Sequence, residues 1–294
     1  MILTDEAFSE FKRSKPLGLS ISPEEVEYST DGLVLSSTQG NVLRLYSSIS
    51  GNIQNIIHVP SIQKYKFMYP NAIIHSASNS LHLLSVFDNR YVSTFSGHKS
   101  QINALSVCPG EDTVLSSSYD STNYWDTRKK NPVYRINAPN SISCLSLSND
   151  YAILINGTLL KIYDKRNTKG PKSTSSLPEK RYKEIYYSPD GSFIIASEEK
   201  SHLFLSSDGT IRNSINLERG GSGCITPDSK FFLCCESSSI LVYHLRTKRK
   251  IHAFKTPGFD NMKARFNPCY AQFVSSSNLL NIWAIKEHPE QSSA

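Results

Sequence analysis

Apolar and polar positions along the chain repeat with a period near 40 residues. In each copy an apolar run closes on a bulky residue, and a tight turn follows two places later. The turn positions Thr30, Pro70, Pro109, Asn149, Pro189, Pro227 and Pro268 lie 38 to 41 residues apart. Two places before them stand Tyr28, Met68, Val107, Leu147, Tyr187, Ile225 and Phe266. After each turn comes a second short run, such as Leu33–Ser37, Ala72–Ser76 or Phe193–Ser197, and then a third, such as Val42–Tyr46, Leu160–Asp164 or Ile240–His244. Short β-rich runs with turn signals at this interval predict four-stranded antiparallel units. Seven of them in succession predict an all-β, seven-bladed β-propeller.

The third copy is the most complete. Gly97-His98 precedes a strand over Ile102–Val107, a turn near Pro109, a strand over Thr113–Ser117, the turn Tyr119–Thr122 and the strand Asn123–Asp126. A last strand is expected around Val133–Ile136. His98, Ser116, Asp120 and Trp125 are the residue types that tie the outer loop to the second and third strands through buried hydrogen bonds. Ser, His and Asp also make up a hydrolase triad, but on a propeller blade this set is expected to act as a structural clamp.

Copies of this size occupy almost all of the 294 residues, so a single propeller over residues 1–285 and a short polar tail over 286–294 are expected. The last copy lacks a fourth strand after Trp283, and the segment before the first copy holds strand-like residues over Phe8–Ser14. The N-terminal segment is therefore expected to supply the outer strand of blade seven and close the ring, burying an edge that would otherwise invite aggregation.

The 32 basic and 26 acidic residues leave a net charge of only +6, modest for a dedicated nucleic-acid binder. Basic clusters at Lys12–Lys15, Arg128–Lys130, Lys161–Lys172, Lys180–Lys183 and Arg246–Lys250 fall mostly between strands and read as loop tips. The six cysteines, Cys108, Cys144, Cys224, Cys234, Cys235 and Cys269, form no Cys-x-x-Cys pair and read as small buried hydrophobes in a reducing compartment. No apolar run of membrane length and no leader-like start at Met1–Ser20 is apparent, so an intracellular protein without a membrane span is expected. The chain carries no phosphate-binding loop, HExxH, G-x-S-x-G or metal set. Gly220-Gly-Ser-Gly223 lacks the strand-to-helix setting of a nucleotide loop and reads as a flexible connection between blades. No catalytic, cofactor-binding or metal residue is expected, and no acid set is evident for the central channel.

Three stretches resemble one WD-repeat family: Asp88–His98, Ser117–Asp126 with Arg128, and Leu160–Arg166 continuing to Lys169-Gly-Pro171. The opening Leu3-Thr4-Asp5, with Phe11 and Lys15 behind it, fits as well. The chain is similar to the Swd-type WD40 subunits shared by Set1/COMPASS histone methyltransferase complexes and by RNA 3′-end-processing or phosphatase assemblies. The resemblance implies a nuclear, non-catalytic scaffold. Its partners would be a Set1-like methyltransferase and other subunits, with RNA polymerase II-associated or 3′-end-processing factors as further partners. An RNA-binding or generic adaptor propeller is the competing reading, with Tyr182, Tyr186 and Tyr187 beside Lys180–Lys183 as stacking groups. Loop-borne Arg and aromatic residues are the usual anchors for peptide ligands. They single out Arg90, Tyr91, Arg128, Arg166 and Lys169 as partner-binding candidates. Arg128 and Arg166 each follow an Asp by two residues, Asp126 and Asp164, so pairing with that Asp to stiffen the loop competes with direct contact.

Overall fold

The computed structural model describes residues 2–14, 17–18, 23–108, 110–147, 150–167, 170–217, 220–256, 262–277 and 279–285. Seven antiparallel sheets follow one another along the chain. Their inner strands are Glu25–Tyr28, Tyr65–Tyr69, Ile102–Val107, Ser141–Leu145, Glu184–Tyr187, Gly220–Ile225 and Lys263–Phe266, each the first strand of its blade. Within a blade every strand pairs with the next in sequence, so the sheet is a meander running from the axis outwards. Strands buried on both faces need apolar side chains on both faces. The second strand of blade five shows the consequence: Ile194 and Ala196 pack against blade four, while Ile195 packs against blade six.

Seven apolar clusters join neighbouring blades around the ring. The cluster of Val26, Tyr28, Leu35 and Tyr46 with Val274, Leu280 and Ile282 joins blade seven to blade one. The molecule is thus a closed seven-bladed β-propeller.

Closure uses the N-terminal segment, in a different form from the one the sequence suggests. Phe11–Arg13 pairs with Leu279–Ile285, and Leu17–Gly18 pairs with the same strand further along. Phe8–Glu10, expected as strand within Phe8–Ser14, falls instead in a single helical turn over Ala7–Glu10, the only α-helix among the described residues. Phe8 leaves the sheet and packs edge-on against Phe231 of blade six, with ring centroids 4.8 Å apart. The segment therefore supplies the outer strand of blade seven, as expected, and in addition bridges that blade to blade six through Phe8. Residues 286–294, the expected polar tail, lie outside the described residues.

Two further expectations change. Gly220–Gly223 is the start of blade six's inner strand, not a loop, with a register shift between Gly220 and Gly223. A Cβ on Gly223 would stand 2.3 Å from a ring carbon of Phe232, so close packing explains the glycine there. In blade four the apolar position is Leu145, buried and paired with Tyr151, whereas Leu147 is half exposed. The turn there is one residue shorter: Ser146 bonds Asp150, whereas Ser188 of blade five spans to Phe193.

The connections sort into two ends. Inner-to-second-strand turns and third-to-outer-strand hairpins meet at one end, here the hairpin end. The Ser48 hydroxyl, for example, donates to the Gly32 carbonyl at 2.7 Å, and the Leu245 amide donates to the Lys230 carbonyl. Connectors that pass from one blade's outer strand to the next inner strand, including His98, lie at the opposite, connector end.

Candidate partner-binding site

Four of the five sequence candidates lie among the described residues, all at the hairpin end of blades two to four; Lys169 lies outside them. Arg90 and Tyr91 are the first residues of blade two's outer strand rather than preceding it. The Tyr91 ring stands 5.8 Å from His75 and 5.6 Å from His82, so it is half seated and half exposed.

Arg128 is forked onto Asp126, Nε to Oδ1 at 2.8 Å and a terminal nitrogen to Oδ2 at 2.7 Å. Its amide also donates to Oδ1 at 3.0 Å. Side-chain and backbone bonds to Arg128 hold the Asp126 carboxyl down at about 2. Asp112 lies 3.6 Å from the guanidinium and accepts the hydroxyl of Tyr69 in blade two. Glu111, the next residue, takes Lys165 of blade four at 3.2 Å. A polar strip thus crosses three blades. Arg166 behaves differently: only its amide meets Asp164, at 2.8 Å, and the residue is exposed. The two arginines are equivalent in spacing but not in engagement.

The same end carries apolar groups that sequence reasoning missed. Phe87 is 86% and Ile49 79% exposed in the hairpins of blades two and one, with Leu33 and Tyr270 exposed in turns of blades one and seven. These blades are neighbours, so the exposed side chains form an arc beside the charged strip. Large apolar groups gathered on one face mark interaction surfaces. Their signal in the sequence is faint, because an apolar turn residue resembles any strand residue.

In blade three the expected set does not close as a four-residue chain. Trp125 Nε1 donates to Ser116 Oγ at 2.8 Å, and His98 Nε2 lies 2.7 Å from the same oxygen. Ser118, which the sequence did not single out, then stands between His98 Nδ1, at 2.9 Å, and Asp120, whose oxygen is 3.6 Å from that nitrogen. Ser118, Ser100 and Ser121 donate to Asp120 and, against the opposing effect of burial, hold its carboxyl well below the usual range. Burial pulls the His98 ring down despite that carboxylate. A neutral His98 fixed between two hydroxyls, with the oxygen of Ser116 already taken by Trp125, has no free nucleophile to offer. Blade seven repeats the inner half of the arrangement: Trp283 Nε1 donates to Ser275 at 2.9 Å.

The central channel, of about 380 Å³, is lined by inner strands. Contrary to the sequence expectation, it does gather acids: Glu25, Glu27 and Glu184. Glu25 lies 2.5 Å from Lys64 and 3.4 Å from Lys263, and Glu27 meets Lys66 and Arg265. Burial raises the Glu25 carboxyl, but Lys64, Lys263 and Arg265 outweigh it and bring it to about 2. A carboxylate so held is a poor proton donor. Tyr182 is buried and Tyr186 packs against the apolar cluster between blades five and six, so neither ring lies open to a base as the RNA reading needs. No group of three or more metal-ligating side chains occurs among the described residues, and no helix is long and apolar enough to cross a membrane.

Comparison with known proteins agrees with this picture. Residues 89–125 match the WD domain, G-beta repeat family. The chain is 26% identical to Set1 complex component swd2 of Schizosaccharomyces pombe, over 72% of this chain and 68% of that protein. It is 27% identical to WD repeat-containing protein 82 of Drosophila melanogaster, over 72% and 73% of the two chains. Against COMPASS component SWD2 of Saccharomyces cerevisiae it is 22% identical, over 86% and 88%. The chain is similar to the Swd2-type WD-repeat proteins along most of its length.

Proposed function

We propose that this protein is a nuclear, non-catalytic scaffold subunit of a Set1/COMPASS-like histone methyltransferase complex, and that it holds partner segments on its hairpin end. The single observation that carries the reading is the likeness, over 72–86% of the chain, to relatives named as Set1 complex and COMPASS components. The geometry supports it. A closed ring gives rigid presentation, and the hairpin end combines a charged strip at Arg128 and Arg166 with the exposed Phe87 and Ile49. Such a combination of arginine and apolar anchors is what peptide hot spots are made from. Arg128 is already forked onto Asp126 and serves chiefly to stiffen its loop, which leaves Arg166 and Phe87 as the freer contacts. Participation in a 3′-end-processing assembly is the second half of the same proposal, with a different ligand on the same surface.

The test is affinity capture of the tagged full-length chain from nuclear extract, read by mass spectrometry for a Set1-like catalytic subunit. The wild type is compared with a Phe87→Ser/Arg166→Glu variant. Recovery of the methyltransferase by the wild type, and its loss from a variant that melts normally, is expected. Capture of no methyltransferase subunit sinks the reading, and capture equal in both places the contact elsewhere on the ring.

A further inference from the structure

The connector half of the central channel has a charge pattern that the scaffold reading does not use. Inner strands of blades two, one and seven stand side by side and place like positions level. One row reads Lys64–Glu25–Lys263, and the row beneath it reads Lys66–Glu27–Arg265. Each carboxylate is shared by two cations, so this wall carries two positive charges in excess. Glu184 of blade five, across the channel, offsets one of them, and Lys183 beside it is drawn outward to Glu199 at 3.3 Å. Among the described residues one positive charge remains unmatched on this wall, where Lys263 stands just outside the channel lining, paired with Glu25 and donating to the Glu24 carbonyl. Burial, together with Lys64 and Arg265, lowers the Lys263 ammonium, as expected for cations crowded on too few anions.

Donors are also left over. An ammonium offers three N–H groups, and Lys64 and Lys66 each touch one carboxylate among the described residues. Tyr28 and Tyr187 also border the channel, and the buried hydroxyl of each has no hydrogen-bond partner among the described residues. The opposite wall is neutral, with Asn103, Ser106 and Ile142, and the hairpin-side floor is apolar, with Val107, Leu145 and Phe266.

We propose that this channel takes one carboxylate side chain, an Asp or Glu in an extended partner peptide, entering from the connector end. The carboxylate meets Lys64 and Lys66, and an adjoining apolar residue lies over the floor. Sharing each channel Glu between two cations keeps the wall from carrying bare charge, yet leaves the described residues one anion short. A nucleic acid is a poor fit, because its phosphates need cations at an open surface, whereas Lys66 and Arg265 sit inside the channel. At about 380 Å³ the space is at the small end of ligand pockets and suits two or three side chains. The site is at the other end of the ring from the proposed methyltransferase surface, so the two proposals stand or fall separately.

The test uses the full chain and a phage-displayed library of random hexapeptides, in which no peptide has a free C-terminus. Enriched sequences are then made as acetylated, amidated peptides, and affinities are read by fluorescence anisotropy. A fixed Asp or Glu at one position is expected. Replacing it by Gln or Asn, or changing Lys66→Gln in the protein, should weaken binding about tenfold, as loss of a charge-assisted hydrogen bond does. Phe87→Ser/Arg166→Glu should leave it unchanged. Lys64→Gln serves as a second variant if Lys66→Gln melts early. Recovery of no binder, of binders without a fixed acidic residue, or of binding indifferent to both lysines overturns the proposal. So does free glutarate that binds as tightly as the peptide, which would make this a small-molecule site.

Discussion

Trp125 donates its indole N–H to the Ser116 hydroxyl at 2.8 Å, in the buried centre of blade three. That hydroxyl has one hydrogen, and the neighbouring acceptor is His98 Nε2 at 2.7 Å. A neutral His98 that accepts the Ser116 hydrogen at Nε2 carries its own proton on Nδ1, which faces Ser118 and beyond it Asp120. Trp125→Ala should destabilise the protein by about 3–5 kcal/mol, because it leaves a cavity beside Phe95 and an unmatched hydroxyl. Ser118→Ala, which interrupts the relay to His98, should cost about 1–3 kcal/mol. Urea denaturation of the single and double variants measures both, and the two should couple rather than add. Additive losses would show that the chain of bonds does not act as a unit.

Ring closure rests on few residues. Phe11 lies level with Ile285 in the last sheet and its ring meets Phe254, Phe266 and Phe273 at centroid distances of 5.4–6.3 Å. Phe11→Ala should cost about 3–5 kcal/mol by the same cavity argument. Removing residues 1–13 should do more, since it bares the edge of Leu279–Ile285 and the face of Phe231. Size-exclusion chromatography should show the truncated chain associating. A truncated chain that stays monomeric and melts normally would mean that Leu17–Gly18 alone covers the edge.

How much of this was legible beforehand differs by feature. The blade count was, because each blade repeats the same meander and its turn residues recur at a fixed interval. The register of blade four was not: Ser146 is the counterpart of Ser188, so the turn opens at Leu147 and not at Asn149, and counting two back from Asn149 lands on the exposed Leu147 instead of the buried Leu145. Gly220–Gly223 reads as loop because glycine weakens strands, but Phe232 fills the space that a side chain on Gly223 would occupy. The channel rows were invisible for another reason. Glu25, Lys64 and Lys263 are far apart in sequence and meet only because inner strands converge on the axis. At the hairpin end the arginines were found by type, while their difference, one side chain forked onto Asp126 and the other residue meeting Asp164 through its amide, is a matter of side-chain geometry.

Cysteine accessibility gives a direct check on the packing. All six cysteines are free thiols; five are buried and Cys269 is exposed, against the expectation that all would be core residues. Burial pushes the Cys224 thiol up to about 12 and those of Cys144 and Cys235 well above the usual range, so they are inert as nucleophiles. Titration with a thiol-reactive chromophore should show one fast equivalent on the native protein and six after denaturation. Two or more fast equivalents would mean that a blade interface opens on the timescale of the reaction. Cys269→Ser should remove the fast phase and leave the melt unchanged.

Acid sensitivity should begin well above the range in which carboxylates titrate. His75 and His202 are buried almost completely, and burial lowers each ring to about 4, with the nearby His82 adding to the effect at His75. Both nitrogens of His75 and Nε2 of His202 have no hydrogen-bond partner among the described residues. A histidine whose pKa falls on folding supports the native state fully above its unfolded value, near 6.5, and that support is lost as pH drops towards the folded value. The window is therefore from about 6.5 down to about 4, and by pH 5 each ring should cost roughly 2 kcal/mol. The lowered carboxyl of Glu25 acts in a separate window, keeping its contribution until pH falls below about 4.5 and losing it towards about 2. Urea midpoints at pH 7.5, 6 and 5 should thus decline steeply before any carboxylate is protonated. His202→Phe, if it folds, should flatten about half of that decline, because it removes one of the two titrating rings while keeping an apolar ring beside Phe232. A midpoint that stays level from pH 7.5 to 5 would show that the two rings are hydrated in solution and not sealed between the blades.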